Sequence, residues 1–171
     1  LATVEQAATL IGRAIRKIGA AALEQPELLR PYALTPQEQA LLAIDPGYPG
    51  VSALGRLDGF LAEDASACWF VESNLESPAG IGYTDVLYEG LRKALALPRV
   101  SAEFETSYTP MLPVLIDTLL SAYGELRGER DDLPETPRLA LVDVEGSPSV
   151  PEFRIICAAA RNAGIEALHA C

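Results

Sequence analysis

The feature that most constrains this fold is a strand–helix–strand pattern near the C-terminal end of the sequence. Residues 138–144 read RLALVDV, a near-continuous apolar run typical of a buried strand, and residues 152–162 carry apolar side chains at helical spacing. Gly164 follows the helix where a C-terminal glycine is common, and residues 165–170 predict a second strand. Such a unit favours two parallel strands with a right-handed crossover, so the sequence predicts an α/β or α+β fold.

A second pair of strands is predicted in the middle of the chain. Residues 51–61 and 67–74 both read as strands, and their connection, AEDAS at 62–66, is short and polar. A connection of this kind favours an antiparallel hairpin. The run WFV at 69–71 predicts that the second strand is buried.

Helices are expected to pack on this hairpin. Apolar residues at three- and four-residue steps predict a long helix over residues 4–22, and Thr35-Pro36 is typical of the start of a shorter one. The run DPGYPG at 45–50 predicts a loop. Two more helices are predicted over residues 84–97 and from Thr109-Pro110 onward. The helix over 84–97 is expected to bury an apolar side formed by Val86, Leu87, Leu91, Ala94 and Leu95.

Four polar residues of the hairpin are placed to converge on one side. Side chains alternate faces along a strand, so Arg56 and Asp58 share a face of the first strand. For the same reason Glu72 and Asn74 share a face of the second strand. Asp58, Glu72 and Asn74 offer the hard oxygen ligands that Mg²⁺ prefers, and Arg56 adds a fixed positive charge suited to a phosphate. The simpler alternative is a solvated face with weak ion pairs.

The placement of these residues depends on the register of the hairpin. We expect Leu61 to pair with Ala67 across the turn. Arg56 then lies opposite Glu72, and Asp58 lies diagonal to it. A slip of one residue would scatter the set, because each residue would turn to the other face.

Charge and cysteine content limit the partners. Thirteen Lys and Arg against 24 Asp and Glu give a net charge of −11, which disfavours nucleic acid and anionic membrane surfaces. The three cysteines form no Cys-x-x-Cys motif, and we interpret them as reduced thiols of a cytoplasmic protein. His169 and Cys68 are expected to pack rather than react. Asp143 ends a predicted parallel strand, where α/β proteins bind ligands.

The motifs R-x-D at 56–58, E-x-N at 72–74 and SPAG at 77–80 together resemble the metal-binding end of the ATP-grasp superfamily. The resemblance implies that Asp58, Glu72 and Asn74 ligate Mg²⁺ (or Mn²⁺) on the phosphates of ATP. It implies that Arg56 is a catalytic residue that contacts phosphate or an acyl-phosphate intermediate. It also makes a substrate-binding loop of Ser77, Pro78, Ala79 and Gly80. Gly80 and Gly82 would let backbone N–H groups approach an anion.

The order of these parts resembles circularly permuted ATP-grasp proteins, such as glutathionylspermidine synthase and related peptide-type ligases. The resemblance implies a metal-binding lobe at 1–126, a charged linker at 127–137 and the start of a Rossmann-like domain at 138–171. The lysine-bearing lobe that clamps ATP in that family has no counterpart in the sequence. We therefore expect a fragment of a longer ligase, inactive by itself.

The implied activity is ligation of a small-molecule or peptide carboxylate to an amine, driven by ATP. Two alternatives stay open: a non-catalytic interaction or regulatory module on the same scaffold, and an unrelated small α/β fold with accidental spacing. We expect neither nucleic-acid nor membrane partners. The unfinished sheet edge after residue 165 favours pairing with a second copy, as a homodimer.

Overall fold

A computed structural model describes residues 2–45, 52–75, 78–94 and 97–171 of the chain. Helix accounts for 55% and strand for 15%, arranged with one antiparallel and one parallel two-stranded sheet, so the fold class is α+β. The elements in chain order are α1 (Ala2–Glu24), a 3-10 helix (Pro26–Tyr32), α2 (Pro36–Leu42), β1 (Arg56–Leu61), β2 (Cys68–Asn74), α3 (Ile81–Ala94), α4 (Leu97–Glu103), α5 (Met111–Gly128), β3 (Arg138–Val142), α6 (Val150–Asn162) and β4 (Glu166–Ala170).

The chain divides into two compact units, Leu1–Ser77 and Pro78–Cys171. The first unit holds α1, the 3-10 helix, α2 and the antiparallel hairpin, and the second holds the remaining elements. The predicted linker at 127–137 lies inside the second unit, and its first two residues, Arg127 and Gly128, are the last residues of α5. The division into 1–126 and 138–171 stays a prediction.

In the first unit, the helix start predicted at Thr35 is confirmed by its capping contacts. The Glu38 N–H donates to Thr35 Oγ1 at 3.3 Å, and the Thr35 N–H donates to the Glu38 carboxylate at 2.7 Å. None of the described residues of this unit is fully buried. The loop predicted at 45–50 lies outside the described residues beyond Asp45.

The second unit contains the buried core of the described chain. The predicted strand–helix–strand pattern is confirmed, since β3 and β4 pair in parallel from Arg138–Glu166 to Val142–Ala170 and α6 packs on both strands. Helix α5 adds Ile116 to this core. The core cluster consists of Ile116, Cys157, Ala160, Ile165 and Ala167, with Leu120, Leu139 and Leu141 packed against it.

Helix α3 does not bury the apolar side that its sequence predicts. Val86, Leu87, Leu91 and Ala94 are exposed, and Leu95 lies outside the described residues. The buried residue of α3 is Gly82, which lies against α6. The prediction was wrong because α3 packs closely on α6 at Gly82, in its first turn, and the predicted apolar side farther along the helix is left exposed. The helix also ends three residues before Leu97, which instead begins α4.

The start of α5 is capped by a side chain from α3. Asp85 accepts hydrogen bonds from the Met111 N–H at 2.7 Å and the Leu112 N–H at 3.0 Å. The Tyr108 hydroxyl donates to the same carboxylate, and the Tyr108 ring stacks on Tyr88 with centroids 3.7 Å apart. Asp85 therefore satisfies two backbone donors that every helix leaves open at its N-terminus.

These contacts shift the pKa values of Asp85 and Tyr108 in opposite directions. Burial alone would raise the pKa of Asp85, but hydrogen bonds from Tyr108, Met111 and Leu112 outweigh it and hold the pKa below its usual value. Burial, followed by the hydrogen bond to Asp85, raises the pKa of Tyr108 to about 12. The contact thus widens the pH range over which Asp85 is a carboxylate and Tyr108 a phenol.

The Asp85–Tyr108 contact predicts that Tyr108 ionises at a higher pH than an ordinary tyrosine. Tyr108 should ionise near pH 12, above the usual 10.0, and Asp85→Asn should bring its pKa down toward 10.0. Because the unfolded chain loses this proton first, the contribution of Tyr108 to stability is complete below pH 10.0 and is lost as the pH rises toward 12. The measurement is tyrosinate absorbance against pH, with Tyr108→Phe identifying the signal.

Asp117, exposed on α5, provides the control for this titration. Asp117→Asn removes the same charge and should leave the titration of Tyr108 unchanged. A Tyr108 that ionises at the ordinary tyrosine pKa in the unmodified protein would contradict the assignment.

Candidate functional site

The turn of the hairpin sets a register one residue away from the predicted one. Leu61 pairs with Cys68, not with Ala67. Ala67 instead lies within the turn, where its carbonyl accepts a hydrogen bond from the Ala62 N–H at 2.9 Å. The prediction that Leu61 pairs with Ala67 was therefore wrong. If the ladder continued from this pair without interruption, Glu72 and Asn74 would lie on the opposite face from Arg56 and Asp58.

A β-bulge corrects this register before the polar residues are reached. The register shifts between Asp58 and Gly59, so that Asp58 lies opposite Glu72 and Val71 is the extra residue of β2. Gly59 permits the bulge, because a Cβ atom there would lie 2.8 Å from the carbonyl oxygen of Trp69. A glycine at this position is thus a requirement of the local backbone.

The bulge brings the four predicted residues to one face of the hairpin. Asp58 lies opposite Glu72, and Arg56 lies opposite Asn74. The expected pairing of Arg56 with Glu72 was wrong, but directly opposed residues share a face, as do residues two apart on β1. Without the bulge, Asp58 would oppose Val71, and both Glu72 and Asn74 would point to the other side.

Arg56 and Asp58 form a two-point ion pair on this face. Arg56 Nε donates to Asp58 Oδ1 at 2.8 Å, and Nη2 donates to Oδ2 at 3.1 Å. The hydrogen bond from Arg56 holds the pKa of Asp58 below its usual value, and the same bond raises the pKa of Arg56, with a smaller contribution from Glu72. The contact thereby stabilises the ionised form of Asp58, the form that binds a cation.

The Asn74 side chain carries an unsatisfied polar atom. Its Nδ2 is buried and has no hydrogen-bond partner within the part of the chain that the structure describes. A buried amide group without a partner destabilises a protein, and it marks a position where the chain does not complete its own bonding. Rotating the amide by half a turn puts its oxygen in the same position, and that oxygen is a hard ligand for a cation.

The donor set of this face therefore fits a hard divalent cation. Asp58 and Glu72 supply two carboxylates and Asn74 supplies an amide oxygen, and the paired residues of β1 and β2 on this face include no Cys, Met or His. Within the described residues, no group of three or more His, Cys, Asp or Glu side chains is arranged to hold a metal ion. The predicted set contains two of those residue types and one amide. Its role in metal binding stays a prediction.

Two aromatic side chains lie on the same face, next to the polar residues. Phe60 pairs with Trp69 and is two residues along β1 from Asp58, so this is the next pair on the same face after Asp58 and Glu72. The exposed fractions of Phe60 and Trp69 are 69% and 58%. The prediction that the second strand is buried was wrong, since Val71 is also exposed. The four polar residues therefore belong to an open face, and apart from the buried amide nitrogen of Asn74, burial gives no argument for their having a ligand.

The predicted substrate loop is partly described. Ser77 lies outside the described residues, Pro78 is buried, and Ala79 is exposed. Gly80 and Gly82, the two residues expected to offer N–H groups to an anion, bind an anion of the chain itself. Their partner is the carboxylate of Glu152 in the first turn of α6.

Glu152 is a residue that sequence reasoning missed. Its Oε1 accepts from the Gly82 N–H at 2.8 Å and from the Gly80 N–H at 2.9 Å, while Oε2 accepts from the Gly80 N–H at 3.0 Å. Only 3% of the residue is exposed. The contact joins positions 70 and 72 residues apart, so no local pattern signals it. The available hint was weak, since Glu152 stands in the first turn of a helix, where acidic residues are common.

The remaining candidates are occupied by local contacts. Asp143 accepts from the Ser147 hydroxyl at 2.5 Å and from the Val144 N–H at 2.7 Å, and these two bonds, the first the larger, lower its pKa. His169 Nε2 lies 3.6 Å from the Cys171 sulfur. All three cysteines fall within the described residues and are free thiols.

The two glycines of α3 predict opposite effects of the same substitution. A Cβ at Gly82 would lie 2.7 Å from Glu152 Cγ, so Gly82→Ala should lower the free energy of unfolding by about 1–3 kcal/mol. Gly90 has no atom within 4 Å of its Cβ position, so Gly90→Ala should raise it by about 0.5–1 kcal/mol through helix propensity. Denaturant unfolding of both variants measures this, and equal effects would contradict the close packing at Gly82.

The described helices include none that combines the length and the apolar character needed to cross a bilayer. No family model, no curated protein sequence and no solved structure matches this chain.

Proposed function

We propose that this chain supplies the metal-binding half of the active site of a Mg-ATP-dependent carboxylate–amine ligase. The reaction would transfer the terminal phosphoryl group of ATP to a substrate carboxylate, giving ADP and an acyl phosphate. An amine would then attack the acyl carbon and release inorganic phosphate, so that an amide forms. The substrates are a small-molecule or peptide carboxylate and an amine.

The observation that supports the proposal is the corrected register of the hairpin. The carboxylates of Asp58 and Glu72 belong to directly opposed residues. Arg56 and Asn74 form the next pair on the same face, two residues along each strand. Placing two like charges side by side is unfavourable unless a positive charge is close to them. Arg56 supplies one such charge, and a divalent cation bound by the same oxygens would supply more.

Each residue has a separate task in this proposal. Asp58, Glu72 and Asn74 would hold Mg²⁺, which when bound neutralises charge on the phosphates of ATP. In the absence of ligand, Arg56 stabilises the ionised form of Asp58 and lowers its pKa. Its planar, permanently charged group is equally suited to a phosphate oxygen, so it would orient the transferred phosphoryl group.

The wider assignment belongs to the same proposal. The chain would be part of a circularly permuted ATP-grasp ligase, located in the cytoplasm, with β3, α6 and β4 beginning a Rossmann-like domain. Pro78, Ala79 and Gly80, with Ser77, would form its substrate loop. A lobe that clamps ATP would have to complete the site, so the isolated chain is expected to bind without turning over.

A second function is favoured by a specific feature, the exposed aromatic pair Phe60–Trp69. Exposed aromatic residues are enriched where proteins bind other proteins. A non-catalytic interaction module would keep the hairpin as a scaffold and use this pair for contact. Binding of metal distinguishes the two functions, because the module has no need of it.

The first test uses Mn²⁺ as a paramagnetic probe of the hairpin. Trp69 is the only tryptophan of the sequence and lies one row from Asp58 and Glu72, so its indole N–H gives a single, isolated NMR signal close to the site. Substoichiometric Mn²⁺ with ATP should broaden this signal in the unmodified chain. Asp58→Asn and Asn74→Ala should reduce the broadening about tenfold or more, because each removes a ligand.

Glu63→Gln is the matched control, since Glu63 is an exposed acidic residue of the same hairpin turn. It removes one charge, as Asp58→Asn does, and should leave the broadening unchanged. Equal broadening in all four proteins would show general attraction of Mn²⁺ to an acidic chain and would reject the site.

The second test concerns turnover, and it uses the complete ligase of which the proposal makes this chain a part. ADP release that depends on a carboxylate and an amine should fall by about a hundredfold or more in Asp58→Ala and in Asn74→Ala, and should persist in Glu63→Gln. An enzyme that retains full activity without Asp58 and Asn74 would exclude them as metal ligands.

A further inference from the structure

The contact between Glu152 and the Gly80–Gly82 segment assigns a task to a buried group that the proposed chemistry leaves unused. We propose that Glu152 is a positioning residue: its carboxylate fixes the end of the substrate loop at Gly80 and the first turn of α3 at Gly82, by binding the backbone N–H groups of both residues. The role of the loop in binding substrate rests on the proposed function. The action of Glu152 on the loop rests on the contacts themselves.

The geometry is that of a strong, charge-assisted clamp. Three N–H···O contacts of 2.8–3.0 Å involve both oxygens of one carboxylate, and Glu152 is 3% exposed. Hydrogen bonds to an ionised acceptor are about twice as strong as neutral ones. Removing the acceptor would leave two backbone donors without a partner, which adds a desolvation cost.

Close packing accompanies the hydrogen bonds. A Cβ at Gly82 would lie 2.7 Å from Glu152 Cγ, 3.2 Å from Ile156 Cγ1 and 3.3 Å from the Glu152 carbonyl oxygen. Gly82 therefore lies directly against the first turn of α6. The Gly82 backbone is thus held both by the carboxylate of Glu152 and by contact with the stem of the same side chain.

This contact also changes which groups the loop can offer a substrate. The N–H groups of Gly80 and Gly82 are already bound to a negative charge, so a phosphate or substrate carboxylate would be repelled there. The substrate loop would act through its shape and its other groups. Glu152 contributes to substrate binding indirectly, by holding the backbone of Gly80 and Gly82 in place.

The test follows the Gly80 and Gly82 amide signals by NMR and hydrogen exchange. In the unmodified chain both protons should be shifted downfield and protected. In Glu152→Gln, which keeps the size and removes the charge, both should move upfield and exchange about ten- to a hundredfold faster. Glu166→Gln, an exposed Glu of the same unit, is the control and should change neither amide.

A loss of general stability is distinguished from a loss of positioning by two further readings. The Met111 and Leu112 amides, which Asp85 holds in the same unit, should stay unchanged in Glu152→Gln. In Glu152→Ala, added formate should return the Gly80 and Gly82 signals toward their original positions, and chloride at equal ionic strength should not. Inorganic phosphate should leave both signals of the unmodified chain in place.

The inference is overturned if the Gly80 and Gly82 amides are unprotected in the unmodified chain, a reading that needs no variant to fold. It is also overturned if Glu152→Gln leaves them unchanged, if formate acts no differently from chloride, or if phosphate shifts them in the unmodified chain. These readings do not involve the hairpin. Failure of the Mn²⁺ test at Trp69 would reject the proposed function and leave the Glu152 contact standing.

Discussion

The candidate site depends on one irregularity, the β-bulge at Asp58 and Gly59. The turn fixes Leu61 opposite Cys68, and a regular ladder from that pair would place Glu72 and Asn74 on the face away from Asp58. One extra residue in β2, Val71, shifts the pairing by one position and places Glu72 directly opposite Asp58. The bulge in turn requires the bare backbone of Gly59 against the Trp69 carbonyl. A single glycine thus decides whether the hairpin has a polar site at all.

The second unit is organised by carboxylates that bind backbone N–H groups over long sequence separations. Asp85 caps the first turn of α5, and Glu152 binds the first turn of α3. The positive end of a helix dipole favours both contacts. In a chain with a net charge of −11, part of the negative charge is therefore built into the fold and does not remain free at the surface.

Sequence reasoning succeeded where the physical cause was local. The strand–helix–strand pattern and the Thr35 cap were confirmed, because periodicity and capping are read from neighbouring residues. It failed at the hairpin register, where the bulge is a matter of backbone geometry, and at the apolar side of α3, where Gly82 decides the packing. It missed Glu152 because that residue meets its partners through tertiary contact alone. The roles of Arg56, Asp58, Glu72 and Asn74 in metal binding stay a prediction.

Burial and donor type separate the two carboxylate environments. The oxygens of Glu152 accept from backbone N–H groups that cannot leave, in a site closed to solvent, so Glu152 is committed to structure. Asp58 is partly exposed, and its partner is the side chain of Arg56, whose flat, permanent charge suits a phosphate as well as a carboxylate. A carboxylate must be accessible to bind a metal ion from solution. Of these two carboxylates, only Asp58 is accessible, and Glu72 lies directly across from it, so the proposed metal site belongs to the hairpin.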